Sequence, residues 1–141
     1  MQTIYIGPMM KKISEEMERK ANEELKNYRL TLTQGKIILF LSEHPDKKAT
    51  QKELEEYLQV SHPTTVTIVK SMEAKKMIET FTDEEDRRMK NVRLIWGNEE
   101  LYQILRENAK NLDVQLMEGF SDEEKEQFSS FLNRAYKNAT T

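Results

Sequence analysis

The stretch from Thr50 to Trp96 constrains the fold more than any other part of the chain. It opens with Thr50-Gln51-Lys52-Glu53, the S/T-x-x-E/Q capping box, in which the Thr and Glu side chains each satisfy an orphan amide at a helix start. A second start follows at Ser61-His62-Pro63: an N-cap hydroxyl, then a proline in the first turn, where a missing N–H costs nothing. Between them Tyr57-Leu58-Gln59-Val60 leaves room only for a turn. Two strand-like runs come next, Met77 to Thr82 and Asn91 to Trp96. Their connection, Asp83-Glu84-Glu85-Asp86-Arg87-Arg88-Met89-Lys90, is almost wholly charged. Two short helices followed by a two-stranded ribbon make a winged helix-turn-helix, a shape that lays one helix into a DNA major groove.

The flanks read as longer helices. Met10, Ile13, Met17, Ala21, Leu25 and Tyr28 recur at spacings of three and four, which predicts a helix from about Pro8 to Arg29 after an extended 1–8. Thr33 is the expected cap of the next helix, with Leu32 and Ile37 as its staple. Ile37, Ile38, Phe40 and Leu41 make that helix apolar enough to be central, and His44-Pro45-Asp46 ends it. Leu54, Tyr57 and Leu58 should face inward from the third helix. After Gly97-Asn98, Leu101, Ile104, Leu105, Ala109, Leu112 and Leu116 mark a long fifth helix with Gly119 as its stop. Ser121-Asp122-Glu123-Glu124 caps a sixth, which carries Phe128, Phe131, Leu132 and Ala135.

A winged-helix core covers only part of these terminal stripes. A symmetric second copy exposes the same surface and hides the rest at least cost. The sequence therefore predicts a homodimer joined by both chain ends, through Met10, Ile13, Met17, Leu112, Leu116, Phe128, Phe131 and Leu132. The expected class is mostly α with a small β-wing, in a single domain over 1–141. Residues 33–96 form the DNA-binding winged-helix part, and 9–29 and 98–137 are dimerisation helices.

In the second helix of the pair, Thr65, Ile68, Val69 and Met72 form one inward stripe. The opposite face is then His62, Pro63, Val66, Thr67 and Lys70. A merely solvated face would carry Glu and Lys throughout. Val and Thr methyls instead suit the thymine methyl, His and Thr can bond base edges, and Lys70 can reach phosphate or guanine. At the wing tip Arg87 and Arg88 can enter a narrow minor groove, with Asp86 orienting a guanidinium. The bland reading of that tip is a solvated hairpin with local ion pairs worth about 0–1 kcal/mol. His62 is about as well read as an exposed first-turn residue, whereas Trp96, closing the second strand, reads as core or hinge rather than ligand contact.

Charge supports DNA only weakly. The net charge is −3, and between Ser61 and Arg93 seven cations face six acids, which leaves that segment at +1. One subunit would hold a duplex poorly, because phosphate neutralisation supplies much of the affinity; two copies double the contacts. Without Cys there is no disulfide, thiolate metal site or thiol sensor, and two distant His make a metal site unexpected. Met1 to Pro8 lacks the pattern of a signal peptide, and no apolar run approaches a membrane span, so the cytoplasm is expected with no membrane partner. No Gly-rich phosphate loop, H-E-x-x-H or G-x-S-x-G is present, so neither catalysis nor a cofactor is expected.

Several segments together resemble the MarR family of bacterial transcriptional regulators. They are Leu30-Thr31-Leu32-Thr33-Gln34, Gln51-Lys52-Glu53-Leu54, Val60-Ser61-His62-Pro63-Thr64, and the wing from Asp83 to Leu94 with its D-x-x-D-R-R-x-K-x-V-x-L pattern. The resemblance runs from about Met9 to Tyr136. It implies a dimeric winged helix on pseudo-palindromic double-stranded DNA, commonly a repressor. It also implies release by a small aromatic or phenolic ligand bound between the dimer helices and the reading head. The DNA-binding set expected here is Ser61, His62, Pro63, Thr64, Val66, Thr67, Lys70, Asp86, Arg87, Arg88 and Lys90. Two departures stand out: Val66-Thr67 replaces the family's frequent Thr-Arg, and Lys76 stands where a glycine usually ends the recognition helix. A non-glycine residue there is strained by about 1 kcal/mol if left-handed. The weak charge and the missing Thr-Arg pair motivate an alternative, a winged-helix protein-interaction module that does not bind DNA.

Overall fold

The computed structural model describes residues 3–141. In order come α1 (Ile6–Leu25), α2 (Leu32–Ser42), β1 (Lys48–Thr50), α3 (Gln51–Leu58), α4 (His62–Ala74), β2 (Ile78–Thr82), β3 (Lys90–Leu94), α5 (Glu99–Leu116) and α6 (Asp122–Ala139). The strands form an antiparallel sheet in the order β1-β3-β2. This is a mostly helical winged helix-turn-helix with a small β-wing.

Local chemistry sets most boundaries. α1 starts at Ile6, before the proline expected to stop the extended segment, because Pro8 sits in the first turn among amides that have no helical partner anyway. A 3-10 turn, Lys26–Tyr28, and a left-handed Arg29 end it, and the Leu30 amide returns to the Leu25 carbonyl at 3.0 Å. Thr31, not Thr33, caps α2. Its hydroxyl accepts from the Gln34 amide at 3.2 Å, and the Gln34 side chain accepts from the Thr31 amide at 3.0 Å. The reason lies in the spacing: three residues after Thr33 stands Lys36, which has no acceptor to return.

The Thr50 box is half of what was expected. Its hydroxyl accepts from the Glu53 amide at 3.0 Å, but the Glu53 carboxylate takes the Thr50 hydroxyl at 3.1 Å rather than the backbone. Thr50 also closes β1, a strand the sequence reading did not foresee, whose Ala49 pairs with Val92. Three residues are too few for a periodic signal. The other two strands are shorter than expected at the end nearest α5. The Met77 carbonyl accepts from the Ile95 and Trp96 amides, both at 3.1 Å, which draws those residues out of the ladder.

The core gathers around α2. Ile37, Ile38 and Leu41 are fully buried with Leu54 of α3, Val69 and Met72 of α4, Ile78 and Val92 of the sheet, and Tyr102 of α5. Full burial of each large apolar side chain contributes about 1.5–3 kcal/mol. Tyr57, expected to point inward, is 46% exposed and stacks on Phe40 at 4.3 Å between centroids. Leu54 and Leu58 already fill the inner side of the short α3.

Candidate nucleic-acid interface

The sequence gives α4 two unlike faces, and packing keeps them apart. Thr65, Val69 and Met72 are buried. The Thr65 hydroxyl donates to the Ser61 carbonyl at 3.1 Å, which allows that polar group to sit in the core. On the other side Ser61, His62, Pro63, Thr64, Thr67 and Lys70 are exposed. Val66, expected to point outward, is half-buried, so only part of its side chain is open to a partner.

The first turn is held in place internally. The Ser61 hydroxyl accepts from the Thr64 amide at 3.3 Å and donates to the Thr64 hydroxyl at 2.8 Å. The Thr67 hydroxyl donates to the Pro63 carbonyl at 3.1 Å. Thr64 thus keeps a free donor and Thr67 free acceptor lone pairs. The His62 ring lies with Nδ1 2.9 Å from the Glu55 carboxylate of α3. With that nitrogen protonated toward Glu55, Nε2 faces away from the pair. Nothing in the local sequence marks Glu55 for this contact; its partner is seven residues away, beyond the three- and four-residue spacings that pair side chains on one helix.

The end of α4 fixes the wing. Met77 N–H reaches the Met72 carbonyl and Lys76 N–H the Glu73 carbonyl, with Lys76 left-handed at φ 60°. This is the Schellman pattern, built on lysine instead of glycine. The Glu73 carboxylate accepts from the Thr80 amide at 3.1 Å and also from the Thr80 hydroxyl. It locks β2 to the reading helix. Sequence reasoning missed Glu73, because nothing local distinguishes it from other acidic surface residues. In the sheet Arg93 pairs with Glu79 at 3.1 Å and lies over the Phe81 ring at 4.5 Å.

Asp83 organises the wing tip. Its carboxylate accepts from the Glu85 amide at 2.8 Å, the Asp86 amide at 3.2 Å and the Asn91 side chain at 3.4 Å. These bonds, the Glu85 amide foremost, hold its carboxyl below the usual range. Asp86 takes the Arg88 amide at 3.0 Å and the Arg88 Nε at 3.2 Å, so it orients the guanidinium, as the sequence suggested. The Arg88 side chain is nevertheless 92% exposed. Arg87 and Lys90 are also exposed. Among the described residues Lys70, Arg87 and Lys90 enter no ion pair.

Beside this head lies a cleft of about 550 Å3 between α1, α2, α5 and α6, with Tyr57 of α3 at its edge. It is lined by seven of the eight expected dimerisation residues: Met10, Ile13, Met17, Leu112, Leu116, Phe128 and Leu132. Phe131 stands outside it, 59% exposed. Burial, and secondarily the nearby Glu43, push the Tyr57 phenol up, which keeps it neutral at physiological pH. No group of three or more His, Cys, Asp or Glu among the described residues is placed to hold a metal ion. No helix of the described residues is long and apolar enough to cross a membrane.

Known proteins share both the sequence and this geometry. The chain is similar to two Bacillus subtilis (strain 168) proteins described as uncharacterized HTH-type transcriptional regulators. YwoH is 32% identical over 111 residues, covering 79% of each chain. YybA is 26% identical over 126 residues, covering 89% of this chain and 83% of its own. The structure resembles that of S. aureus MepR solved in complex with DNA, with a TM-score of 0.88, 26% identity, and coverage of 96% of this chain and 99% of that one. The MarR family model matches residues 30–89, the span from the capped start of α2 to the wing tip. Fold, head and wing agree with those matches, and the chain belongs to the MarR family of transcriptional regulators.

Proposed function

We propose that two copies of this chain bind a pseudo-palindromic operator as a cytoplasmic repressor, and that a small ligand in the cleft releases them. Residues 33–96 serve as the reading part, and 9–29 and 98–137 join the copies. The exposed residues of α4, from Ser61 to Lys70, contact bases and phosphates in the major groove. Arg87, Arg88 and Lys90 follow the backbone or enter the minor groove, and Asp86 holds Arg88 in position.

One observation carries this reading. The inner face of α4 is fixed in the core, its outer face is open, and Glu73 attaches to it a wing whose Arg88 is almost fully exposed. The solved MepR–DNA complex supports it by similarity of the whole chain. The weak charge bias argues for two copies, since each contributes few phosphate contacts.

Selection of bound duplexes from random DNA by the purified protein tests it. The expected result is a two-fold-symmetric consensus with half-sites about 10 bp apart. On that site Arg88→Ala should weaken binding about tenfold and reduce the salt slope by about one. Failure to enrich any sequence, or Arg88→Ala binding that matches the parent at every salt concentration, would overturn it.

A further inference from the structure

Among the exposed side chains that open α4, His62 is the one held from outside its own helix. The ring stands at the first helical position and is exposed. Its Nδ1 lies 2.9 Å from Oε2 of Glu55, a half-buried residue of α3. Among the described residues this is the ring's one hydrogen bond. The Ser61, Thr64 and Thr67 hydroxyls bond within α4 or its cap, and a hydroxyl can turn to donate or accept. An imidazole against a carboxylate has less freedom. An ionised carboxylate only accepts, so the single proton of the uncharged ring belongs on Nδ1, and Nε2 is left as a bare lone pair.

We propose that Glu55 is a positioning residue that makes His62 a reader of exocyclic amino groups, adenine N6 or cytosine N4, in the major groove. The proposal rests on the operator binding described above and names the base chemistry read at one pair of each half-site. The first residues of a recognition helix are the ones that meet base edges. There an Nε2 lone pair accepts from adenine N6 or cytosine N4, and it finds no donor on guanine O6 and N7 or on thymine O4. Nor can it bond a phosphate oxygen, which is itself an acceptor. A carboxylate beside the reading turn subtracts from phosphate attraction, so what Glu55 contributes is the orientation and tautomer of the ring. With the ring held before DNA arrives, less side-chain freedom is lost on binding.

The test uses the full chain and the duplex selected as above, at about pH 8.5, where an imidazole is ordinarily uncharged. Each pair of the half-site is inverted in turn, A·T to T·A or C·G to G·C, which puts a carbonyl acceptor where the amino group stood. At one pair, inversion should cost the parent about fivefold in affinity per half-site. His62→Ala should bring that cost within about twofold and leave the salt slope unchanged. Glu55→Gln should also erase the preference, because a Gln amide can donate to Nδ1 as well as accept from it and so lets the ring carry its proton on Nε2. In the free protein the ring nitrogen NMR shifts should show Nδ1 protonated and Nε2 bare in the parent, and a mixture in Glu55→Gln.

His62→Ala that weakens every duplex equally and lowers the salt slope would make His62 a phosphate contact and overturn the proposal. A preference for guanine or thymine at the His62-dependent pair, an inversion cost that survives Glu55→Gln, or a proton on Nε2 in the parent overturns it too. The parent's ring shifts need no variant, so they decide the tautomer even if Glu55→Gln does not fold. If no duplex is selected at all, operator binding fails and the proposal falls with it. If a symmetric duplex is selected and no inversion depends on His62, the proposal alone falls.

Discussion

The reading head and the end helices were built by the same local rules, with opposite results for burial. From α2 to β3 the apolar positions that the periodicity marks, Tyr57 excepted, are buried or packed against the core, down to the polar Thr65 with its carbonyl partner. In the end helices burial stops where the head stops. α1 buries only Ala21 and Leu25, at its C-terminal end, and α5 only Tyr102 and Leu105, near its start. α6 buries nothing. Yet α6 has a complete capping box, with the Ser121 hydroxyl on the Glu124 amide at 3.1 Å and the Glu124 carboxylate on the Ser121 amide at 2.8 Å. Helix formation and helix burial are therefore separate statements in this sequence. Local signals fix the helix, while Leu116, Phe120, Phe131, Leu132 and Tyr136 stay exposed on a single copy. Apolar exposure on this scale is the mark of an interaction surface.

The sharpest way to break that contrast is one substitution in each of the two regions. In the proposed dimer Leu132 lies at the seam between copies, so Leu132→Asp puts an unpaired charge there. The expected outcome in sedimentation equilibrium is monomer at micromolar concentrations where the parent is dimer. Operator affinity should fall at least about a hundredfold, because the linked second head is lost. An unchanged dimer would mean that α6 is simply an exposed helix. Leu54, fully buried in the head, supplies the opposite case. Leu54→Ala should lower unfolding stability by about 2–5 kcal/mol in urea titration while leaving the assembled mass of the folded protein unchanged.

The same division explains how much could be read from the sequence. Every helix was visible, because stripes at 3.6 spacing and N-cap hydroxyls are local. The Ser61 cap, the inward Thr65 to Met72 stripe and the Asp86–Arg88 pair all lie within one turn or one hairpin. What escaped was non-local or too short. β1 has three residues and exists only because β3 lies beside it. Tyr102, the largest fully buried side chain, donates its hydroxyl to the Trp96 carbonyl at 2.9 Å and closes the joint between wing and α5. In the sequence it was one more aromatic in a helix. Glu73–Thr80 and Glu55–His62 are the same kind of omission. An acidic residue's role depends on which neighbour arrives from another element, and neither periodicity nor composition contains that.

A smaller effect tests whether the head's own joints are optimised. Lys76 adopts φ 60° in the Schellman turn that separates the reading helix from the wing. Left-handed backbone is disfavoured for lysine and free for glycine. Lys76→Gly should raise stability by up to about 1 kcal/mol, since relief of strain exceeds the extra unfolded-state entropy. A shift of the urea midpoint at constant slope measures it. A destabilised variant would show that the exposed lysine side chain contributes more than its backbone costs. The test leaves the end helices untouched, so the assembled mass should not change.

The smallest effect is confined to the wing tip and depends on pH. The amides of Glu85 and Asp86, with Asn91, hold the Asp83 carboxyl below its ordinary value, so the ionised form is bound more tightly in the folded wing than in the unfolded chain. A depressed acid contributes its full stabilisation above the unfolded-state value, near 3.9, and loses it as pH falls through the lower folded value. The tip should therefore keep its turn at neutral pH and release it only in that acidic window. Amide exchange at Glu85 and Asp86 would report the release while the amides of α2 stay protected. Asp83→Asn retains an acceptor oxygen but no charge, so its wing should exchange somewhat faster at neutral pH and lose the acid step altogether. If the acid step persisted in Asp83→Asn, a different carboxyl would be holding the turn.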